Sequence, residues 1–274
     1  MESRKSAFPC SGRTYSEGKN VNWKDGVRAI CAIVKIQPRT ASEVSDPELS
    51  YYGLDILQAL DRASNYNALL LELILRSARG RRRMLDLGAG IGTFSKLLRK
   101  KGIDMVCVEP DTYLSGALAR DGFPTVTDLN QVPDGSFEFI FALNVLEHIQ
   151  DDRAILCRLG AKLKREGRLL VYVPTFECLW TSLDEKLKHC RRYRRGGLEG
   201  LTQFAGLSVR KSSCVDSVGF FAALAFKILG NKRGHLSARA ISVYDRYVVP
   251  SSKALDPLLG RLFGKNVDFI ALKD

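Results

Sequence analysis

The chain has 274 residues, of which 45% are hydrophobic and 26% charged, and its formal net charge is +12. This size suits one domain of about 150–200 residues with appendages. Its seven cysteines form no Cys-x-x-Cys pair, which excludes a cysteine-ligated metal centre, and their odd number without a secretory signal predicts reduced thiols in the cytoplasm.

Residues 1–45 lack strong hydrophobic periodicity and are predicted to form a poorly specified N-terminal arm. One domain is predicted over the remaining residues, 46–274. Its first element is an apolar helix over 54–76, which carries the polar pair Tyr66 and Asn67.

The segment 84–94, Met-Leu-Asp-Leu-Gly-Ala-Gly-Ile-Gly-Thr-Phe, predicts a short buried strand that turns through three glycines into a helix. Glycines let the backbone turn sharply and let a ligand approach it, and the helix that follows begins with unpaired N–H groups. A second apolar run ends at Glu109, about 20 residues after Gly88, where a carboxylate can bind the two ribose hydroxyls of a nucleoside. The spacing predicts a nucleoside-cofactor site.

The glycine spacing separates two cofactor classes. A dinucleotide site requires Gly-x-Gly-x-x-Gly, and Thr93 stands where its third glycine would fall, which disfavours a nicotinamide oxidoreductase. The form that is present, Asp86-x-Gly-x-Gly-x-Gly, resembles motif I of the class I S-adenosylmethionine-dependent methyltransferases. The resemblance implies that the loop receives the methionine end of S-adenosyl-L-methionine and that Asp86 helps to hold its amino group.

Later strands are predicted over 123–129, 137–143 and 167–174, with a helix start at 144–148 and a helix over 151–164 before the last strand. Strands that alternate with helices of this length predict an α/β fold with a doubly wound, mostly parallel sheet. On the resemblance, two further strands near 207–212 and 266–273 complete a seven-stranded, Rossmann-like sheet whose last pair is antiparallel.

The tract 51–209 resembles small-molecule methyltransferases related to the ubiquinone and menaquinone C-methyltransferases, most clearly over 134–140 and 144–148. The resemblance implies that Asn144 lies beside the transferred methyl group and that His148 lies at the mouth of the site. The implied cofactor-binding residues are Tyr66, Asp86, Gly88, Ala89, Gly90, Gly92, Glu109, Pro110, Asp128, Leu129 and Asn144.

A narrower signature, Trp-x-Ser-x-Asp followed by His-x-Arg-Arg-Tyr, lies within 174–195 and resembles a branch in which an insertion closes over the active site. It implies a lid with Trp180, Arg192 and Tyr193 on the substrate, and His148, Asp184 or His189 as the proton acceptor. The alternative is a solvated basic surface, because charge runs usually lie in solvent.

The segment 217–230 is almost entirely apolar, but its 14 residues are too few to span a bilayer. It opens a predicted helical insertion over 217–263. This insertion either forms an apolar roof over a lipid-like acceptor or a membrane-surface contact, or packs on the core or on a second subunit in a homodimer.

The sequence therefore predicts an S-adenosylmethionine-dependent methyltransferase that acts on a small-molecule or lipid-like acceptor by in-line methyl transfer, without a metal. The positive charge favours an anionic acceptor or a peripheral membrane contact. An RNA methyltransferase is disfavoured, because no RNA-binding module accompanies the charge. A non-catalytic cofactor-binding or scaffold protein is the remaining alternative.

Overall fold

The computed structural model describes residues 54–228 and 237–274, so the predicted N-terminal arm lies outside the described residues. A seven-stranded sheet forms its centre, in the order β3-β2-β1-β4-β5-β7-β6. The strands are β1 (Arg83–Leu87), β2 (Asp104–Val108), β3 (Thr125–Val126), β4 (Phe137–Leu143), β5 (Leu163–Pro174), β6 (Leu207–Val215) and β7 (Asn266–Lys273). Only β7 runs antiparallel to its neighbours, which confirms the predicted fold class.

Helices cover both faces of the sheet. They are α1 (Leu54–Asp61), α2 (Ser64–Ala78), α3 (Thr93–Arg99), α4 (Thr112–Arg120), α5 (Asp152–Lys162), α6 (Ser182–Lys186), α7 (Arg195–Phe204), α8 (Ser217–Ile228), α9 (Ala238–Val243) and α10 (Val249–Leu259). Strand β4 supplies both apolar layers: Ile140 and Ala142 join the layer beneath α5 and α7, while Phe139 and Phe141 join the layer beneath α2, α3 and α4. Its continuous apolar sequence follows from this burial on both faces.

The predicted single helix over 54–76 is wrong, because α1 ends at Asp61 and α2 begins at Ser64. The side-chain amide of Asn67 donates to the carbonyl oxygens of Leu60 and Asp61, at 2.9 Å each. These bonds satisfy carbonyls at the end of α1 that have no partner inside the helix, so the polar residue stabilises the break.

Two elements near the predicted site also differ from expectation. The third strand is only two residues long, because the Asp128 carboxylate accepts from the Asn130 amide and starts a 3-10 turn at Leu129–Gln131. At 144–148, where a helix start was predicted, Leu146–His148 forms another 3-10 turn, after Asn144 at a φ of +53°. The helix α5 begins only at Asp152.

The predicted insertion between β6 and β7 is helical in the residues described. Between α9 and α10 the chain makes a π-helical turn, Tyr244–Val248, that carries Asp245. The Asp245 carboxylate accepts from the backbone amides of Asn65 and Tyr66, at 3.3 and 2.8 Å, and so caps the first turn of α2 from 180 residues away. Among the described residues no helix is both long and apolar enough to cross a membrane.

Candidate active site

The glycine turn after β1 can be built only without side chains. Gly88, Gly90 and Gly92 have φ values of +69°, +56° and +79°. A Cβ at Gly88 would lie 2.5 Å from a methyl carbon of Val145, and one at Gly92 would lie 2.6 Å from a methyl carbon of Leu118. Both the backbone conformation and the space therefore exclude larger residues here.

Glu109, directly after β2, is joined to this turn. Its carboxylate accepts from the Gly90 amide at 2.7 Å and from the Asp111 amide at 3.0 Å. Burial raises the pKa of Glu109, and these two backbone hydrogen bonds oppose the rise. A buried carboxylate is thereby fixed at the carboxyl end of the sheet, beside the loop, as the ribose-binding prediction requires.

Asp86, the last acid before the loop, is buried within β1. Its carboxylate accepts from the Ser95 hydroxyl at 2.7 Å, and no basic side chain is among the influences on its pKa. Burial raises the pKa of Asp86 to about 7, the Ser95 hydrogen bond lowers it, and the charge of Glu109 raises it further. A cationic group beside Asp86 would favour its ionised form.

A cavity of about 1200 Å³ runs from this loop to the lid segment. Ten of the eleven predicted cofactor residues line it: Tyr66, Asp86, Gly88, Ala89, Gly90, Glu109, Pro110, Asp128, Leu129 and Asn144. Gly92 does not line it and acts instead as the turn into α3, against Leu118. The volume exceeds the 300–1,000 Å³ usual for one small ligand, so a cofactor and an acceptor fit together.

At the far end of the cavity lie polar groups from the turn after β4. The Asn144 amide donates to the Tyr66 hydroxyl at 3.4 Å, and burial raises the pKa of that hydroxyl to about 12. Glu147 is 1% exposed, and one of its carboxylate oxygens has no hydrogen-bond partner. Burial raises the pKa of Glu147 to about 8. The pKa of His148 is lowered to about 4, because the His148 ring is partly buried and because His189 lies beside it.

Three predicted lid residues form one ionic cluster on the cavity wall. The Arg192 guanidinium donates to both carboxylate oxygens of Asp184, at 2.8 and 3.0 Å, and the same carboxylate lies 2.9 Å from Nδ1 of His189. Burial alone would raise the pKa of Asp184, but the hydrogen bonds from His189 and Arg192 hold it well below its usual range. Asp184 is therefore a poor proton acceptor, and its geometry is that of a group that orients His189.

The predicted substrate contacts of two aromatic residues are not supported by the structure. The Tyr193 hydroxyl is buried and donates to the Leu146 carbonyl and the Asp152 carboxylate, at 3.1 Å each, so it anchors the turn after β4 rather than facing the cavity. Trp180 also does not line the cavity, whereas its neighbours Leu179 and Thr181 do. Arg192 lines it, although its guanidinium is engaged by Asp184.

The sequence analysis missed a cluster that the insertion adds to the cavity. Lys265 donates to the Tyr244 hydroxyl at 3.1 Å, and that hydroxyl donates to the buried Asp216. Burial lowers the pKa of Lys265, while Asp216 opposes the change. No local motif indicated these residues, because they come from three separate segments.

This geometry, a glycine turn after β1 and an acid after β2 at the carboxyl edge of a sheet with an antiparallel last strand, is that of a class I methyltransferase. A family model described as a methyltransferase domain matches residues 59–212, more than half of the chain, so the chain belongs to that family. It is an S-adenosylmethionine-dependent methyltransferase, and S-adenosyl-L-methionine is its cofactor.

Known proteins give further comparisons. The chain is 26% identical over 251 residues to an uncharacterised 37.1 kDa protein in transposon TN4556 of Streptomyces fradiae, covering 83% of this chain and 71% of that protein. It is 30% identical over 108 residues to the ubiquinone biosynthesis O-methyltransferase of Rhodopseudomonas palustris, covering 36% of this chain and 42% of that enzyme. The crystal structure of a SAM-dependent methyltransferase from Archaeoglobus fulgidus aligns with a TM-score of 0.57 at 21% identity, over 82% of this chain and all of that one. This last likeness shows the fold.

Proposed function

We propose that this methyltransferase modifies a small-molecule acceptor that has an apolar body and a polar head. The observation that carries the proposal is the continuous cavity, with Glu109 at one end and His148 and His189 at the other. S-adenosylmethionine supplies an electrophilic methyl group when bound. Gly88, Gly90, Asp86 and Glu109 are proposed to hold it, because they line one end of the cavity and the two carboxylates suit an ammonium and a ribose.

The acceptor end combines two kinds of surface. Helix α8 and the insertion contribute apolar side chains, from Ala222, Ala223, Phe226 and Ile241. Glu147, His148 and His189 line the same cavity and supply polar groups for an acceptor head. Each methylene of an aliphatic chain buried on such a wall contributes about 0.8 kcal/mol, so an acceptor with a chain is favoured over a fully polar one.

The residues of this site can accelerate methyl transfer mainly by holding the cofactor and the acceptor in position. An enclosed cavity that holds donor and nucleophile at near-attack distance removes much of the entropic barrier. Asn144 and Tyr66 are proposed to fix the methyl-bearing end, since both line the cavity and their side chains are hydrogen-bonded to each other. Asp184 is assigned the role of orienting His189.

The proposal is tested by supplying S-adenosylmethionine with a labelled methyl group and comparing three acceptors: catechol, a catechol with an aliphatic chain, and bulk RNA. Label in the chain-bearing catechol above plain catechol supports the proposal. Label in RNA alone would contradict it. Glu109→Ala should weaken S-adenosylhomocysteine binding in calorimetry, whereas Glu138→Ala, on the exposed start of β4, is the matched control and should not.

The insertion also presents an exposed apolar surface, which we name the apolar patch. It consists of Phe221, Ile228, Leu255, Leu258 and Leu262, and the most exposed of these are more than 70% accessible. Lys227 and Arg261 lie next to patch residues in the chain, and the whole protein carries +12. An apolar surface flanked by cations fits an anionic membrane surface, which is the occupant we propose.

Co-sedimentation with liposomes of mixed neutral and anionic lipids tests this surface. Binding should fall with added salt and should be reduced in Leu258→Asp, while Tyr113→Asp, at an exposed aromatic on α4, serves as the control and should bind as before. A stable dimer without liposome binding, lost in Leu258→Asp, would show that the patch is a subunit interface instead.

A further inference from the structure

The acceptor end of the cavity contains a group of side chains that sequence spacing did not reveal as a unit. Glu147 and His148 follow β4, while His189 comes from the lid segment, 41 residues later. One potential ligand atom from each of these three residues lies within 4.8 Å of the other two. All three residues line the cavity.

The imidazole of His189 has one nitrogen already engaged by the protein. Its Nδ1 lies 2.9 Å from the Asp184 carboxylate, which can only accept, so this nitrogen carries the proton and Nε2 is the atom left for a metal. The His148 ring meets the His189 ring edge-on, with the two centroids 4.7 Å apart, so the two imidazoles lie side by side. An outer carboxylate partner of this kind is typical of metal-binding histidines, because it fixes the ring and its tautomer.

Glu147 supplies the third donor atom. Its side chain is 1% exposed, yet its Oε2 has no hydrogen-bond partner in the described structure. An unpartnered carboxylate oxygen in a buried position is costly, and a bound cation would remove that cost. Arg192, the strong cation nearby, acts on Glu147 through its charge alone, because its guanidinium donates its hydrogen bonds to Asp184 and to the Thr175 carbonyl.

We propose that Glu147, His148 and His189 bind a divalent first-row transition-metal ion of the Zn²⁺ type at the acceptor end of the cavity. Two imidazoles and one carboxylate are a donor set that zinc takes in catalytic sites, where a fourth position stays open. That position would face the cavity. Ligands about 2.1 Å from tetrahedral zinc lie about 3.4 Å apart, so the widest separation must shorten on binding, and His148, the most exposed of the three ligands, would have to move with the edge of its ring against His189.

The chemical role of this ion, unlike its binding, rests on the proposed function. An acceptor hydroxyl oxygen in the open position would lose its proton to water more readily. The oxygen lone pair then forms the bond to the methyl carbon as the bond from that carbon to the sulfonium sulfur breaks. The site therefore selects acceptors whose head is a phenol, a catechol or a comparable hydroxyl.

Metal binding is measured without any acceptor, by titrating the metal-free full chain with Co²⁺ and recording its visible absorption, then displacing Co²⁺ with Zn²⁺. One equivalent should bind, with a spectrum of nitrogen and oxygen ligation. His148→Gln, His189→Gln and Glu147→Gln should each weaken binding at least about 10-fold, and Asp184→Asn about 10–100-fold through the outer contact. His148 is exposed, so its replacement is the variant that leaves packing intact.

Two controls separate this site from adventitious binding. His235→Gln removes the remaining histidine of the chain, which lies outside the described residues, and Cys190→Ser removes a thiol beside the site. Both should bind Co²⁺ like the wild type. Absence of stoichiometric binding, loss of binding in Cys190→Ser, or unchanged binding in both His148→Gln and His189→Gln would overturn the proposal.

The two proposals can fail separately. S-adenosylhomocysteine affinity should stay unchanged in His148→Gln, which shows that the cofactor half of the cavity is intact. Full methyl transfer by chelator-treated, metal-free protein would reject the metal while leaving the proposed function standing. Stoichiometric Co²⁺ binding without methylation of any hydroxyl acceptor would support the site and count against the proposed acceptor class.

Discussion

The Asp86 carboxyl, buried beside the glycine loop, predicts an unusual dependence of stability on pH. Burial raises its pKa to about 7 in the folded protein, against an ordinary value of 3.8, so between these values the folded state holds a proton that the unfolded state has released. Stability must then fall as pH rises through this window. At about 1.36 kcal/mol per pKa unit, the full cost of ionising Asp86 in the fold is about 4 kcal/mol above pH 7.

Asp86→Asn keeps an oxygen that can accept from Ser95 but removes the ionisation. From pH 5 to pH 8, the wild-type free energy of unfolding should therefore fall about 2–3 kcal/mol more than that of the variant. Urea denaturation at the two pH values measures both quantities. Asp104→Asn, at an exposed carboxylate on β2, is the matched control and should follow the wild type.

The ionisation of Asp86 should also change the affinity for the cofactor. If Asp86 faces the ammonium of the methionine end, S-adenosylhomocysteine should bind more tightly as pH rises through about 7, and this increase should vanish in Asp86→Asn. Parallel stability curves for the wild type and Asp86→Asn between pH 5 and 8 would refute the reasoning, because they would mean that the buried carboxyl is already stabilised as an anion.

Further predictions concern the loop and the lid. Gly88→Ala should destabilise the fold by about 1–3 kcal/mol more than Gly80→Ala in thermal denaturation, because only the first added Cβ meets another side chain. Arg192→Met should cost about 3–5 kcal/mol, since it leaves the buried Asp184 without its guanidinium partner, and Asp184→Asn in the same chain should recover part of that loss. Tyr193→Phe should cost about 1–3 kcal/mol in urea denaturation and leave S-adenosylhomocysteine affinity unchanged, because its hydroxyl bonds only core acceptors.

Some of this fold could be predicted because local patterns determine it. The predicted bounds of β4 and β7 agree with the structure, since each contains a continuous apolar run, over 139–143 and 269–272, that is typical of a strand covered on both faces. The glycine loop could also be predicted, because its positive φ values strongly favour glycine. The break between α1 and α2 was missed, because a side-chain amide that caps a preceding helix looks in sequence like any polar residue within a helix.

In the lid, the sequence does not predict which side chains face the cavity and which face the core. A pattern of aromatic and charged residues predicts a surface that could meet a substrate, but it does not say which side chains face the cavity. Tyr193 faces the core, and Asp184 and Arg192 satisfy each other. The Tyr193 hydroxyl is fixed by Leu146 and Asp152, which are 47 and 41 residues away, so no local window contains its partners. Asp184 and Arg192 are only eight residues apart, but their charges alone do not indicate that they pair with each other rather than with a substrate.

The hydrogen bonds of the lid residues also explain why Asp184 and Glu147 have different roles in the site. Because Asp184 is saturated by Arg192, Thr181 and His189, its contribution to the cavity is the fixed orientation of one imidazole. Glu147 is then the carboxyl group on this wall that retains an unpartnered oxygen among the described residues, and burial raises its pKa to about 8. A cation bound there would displace the proton that this pKa favours, and the two neighbouring imidazoles would supply further ligands for it. The same arrangement that makes Asp184 a poor base therefore favours a metal ion beside Glu147.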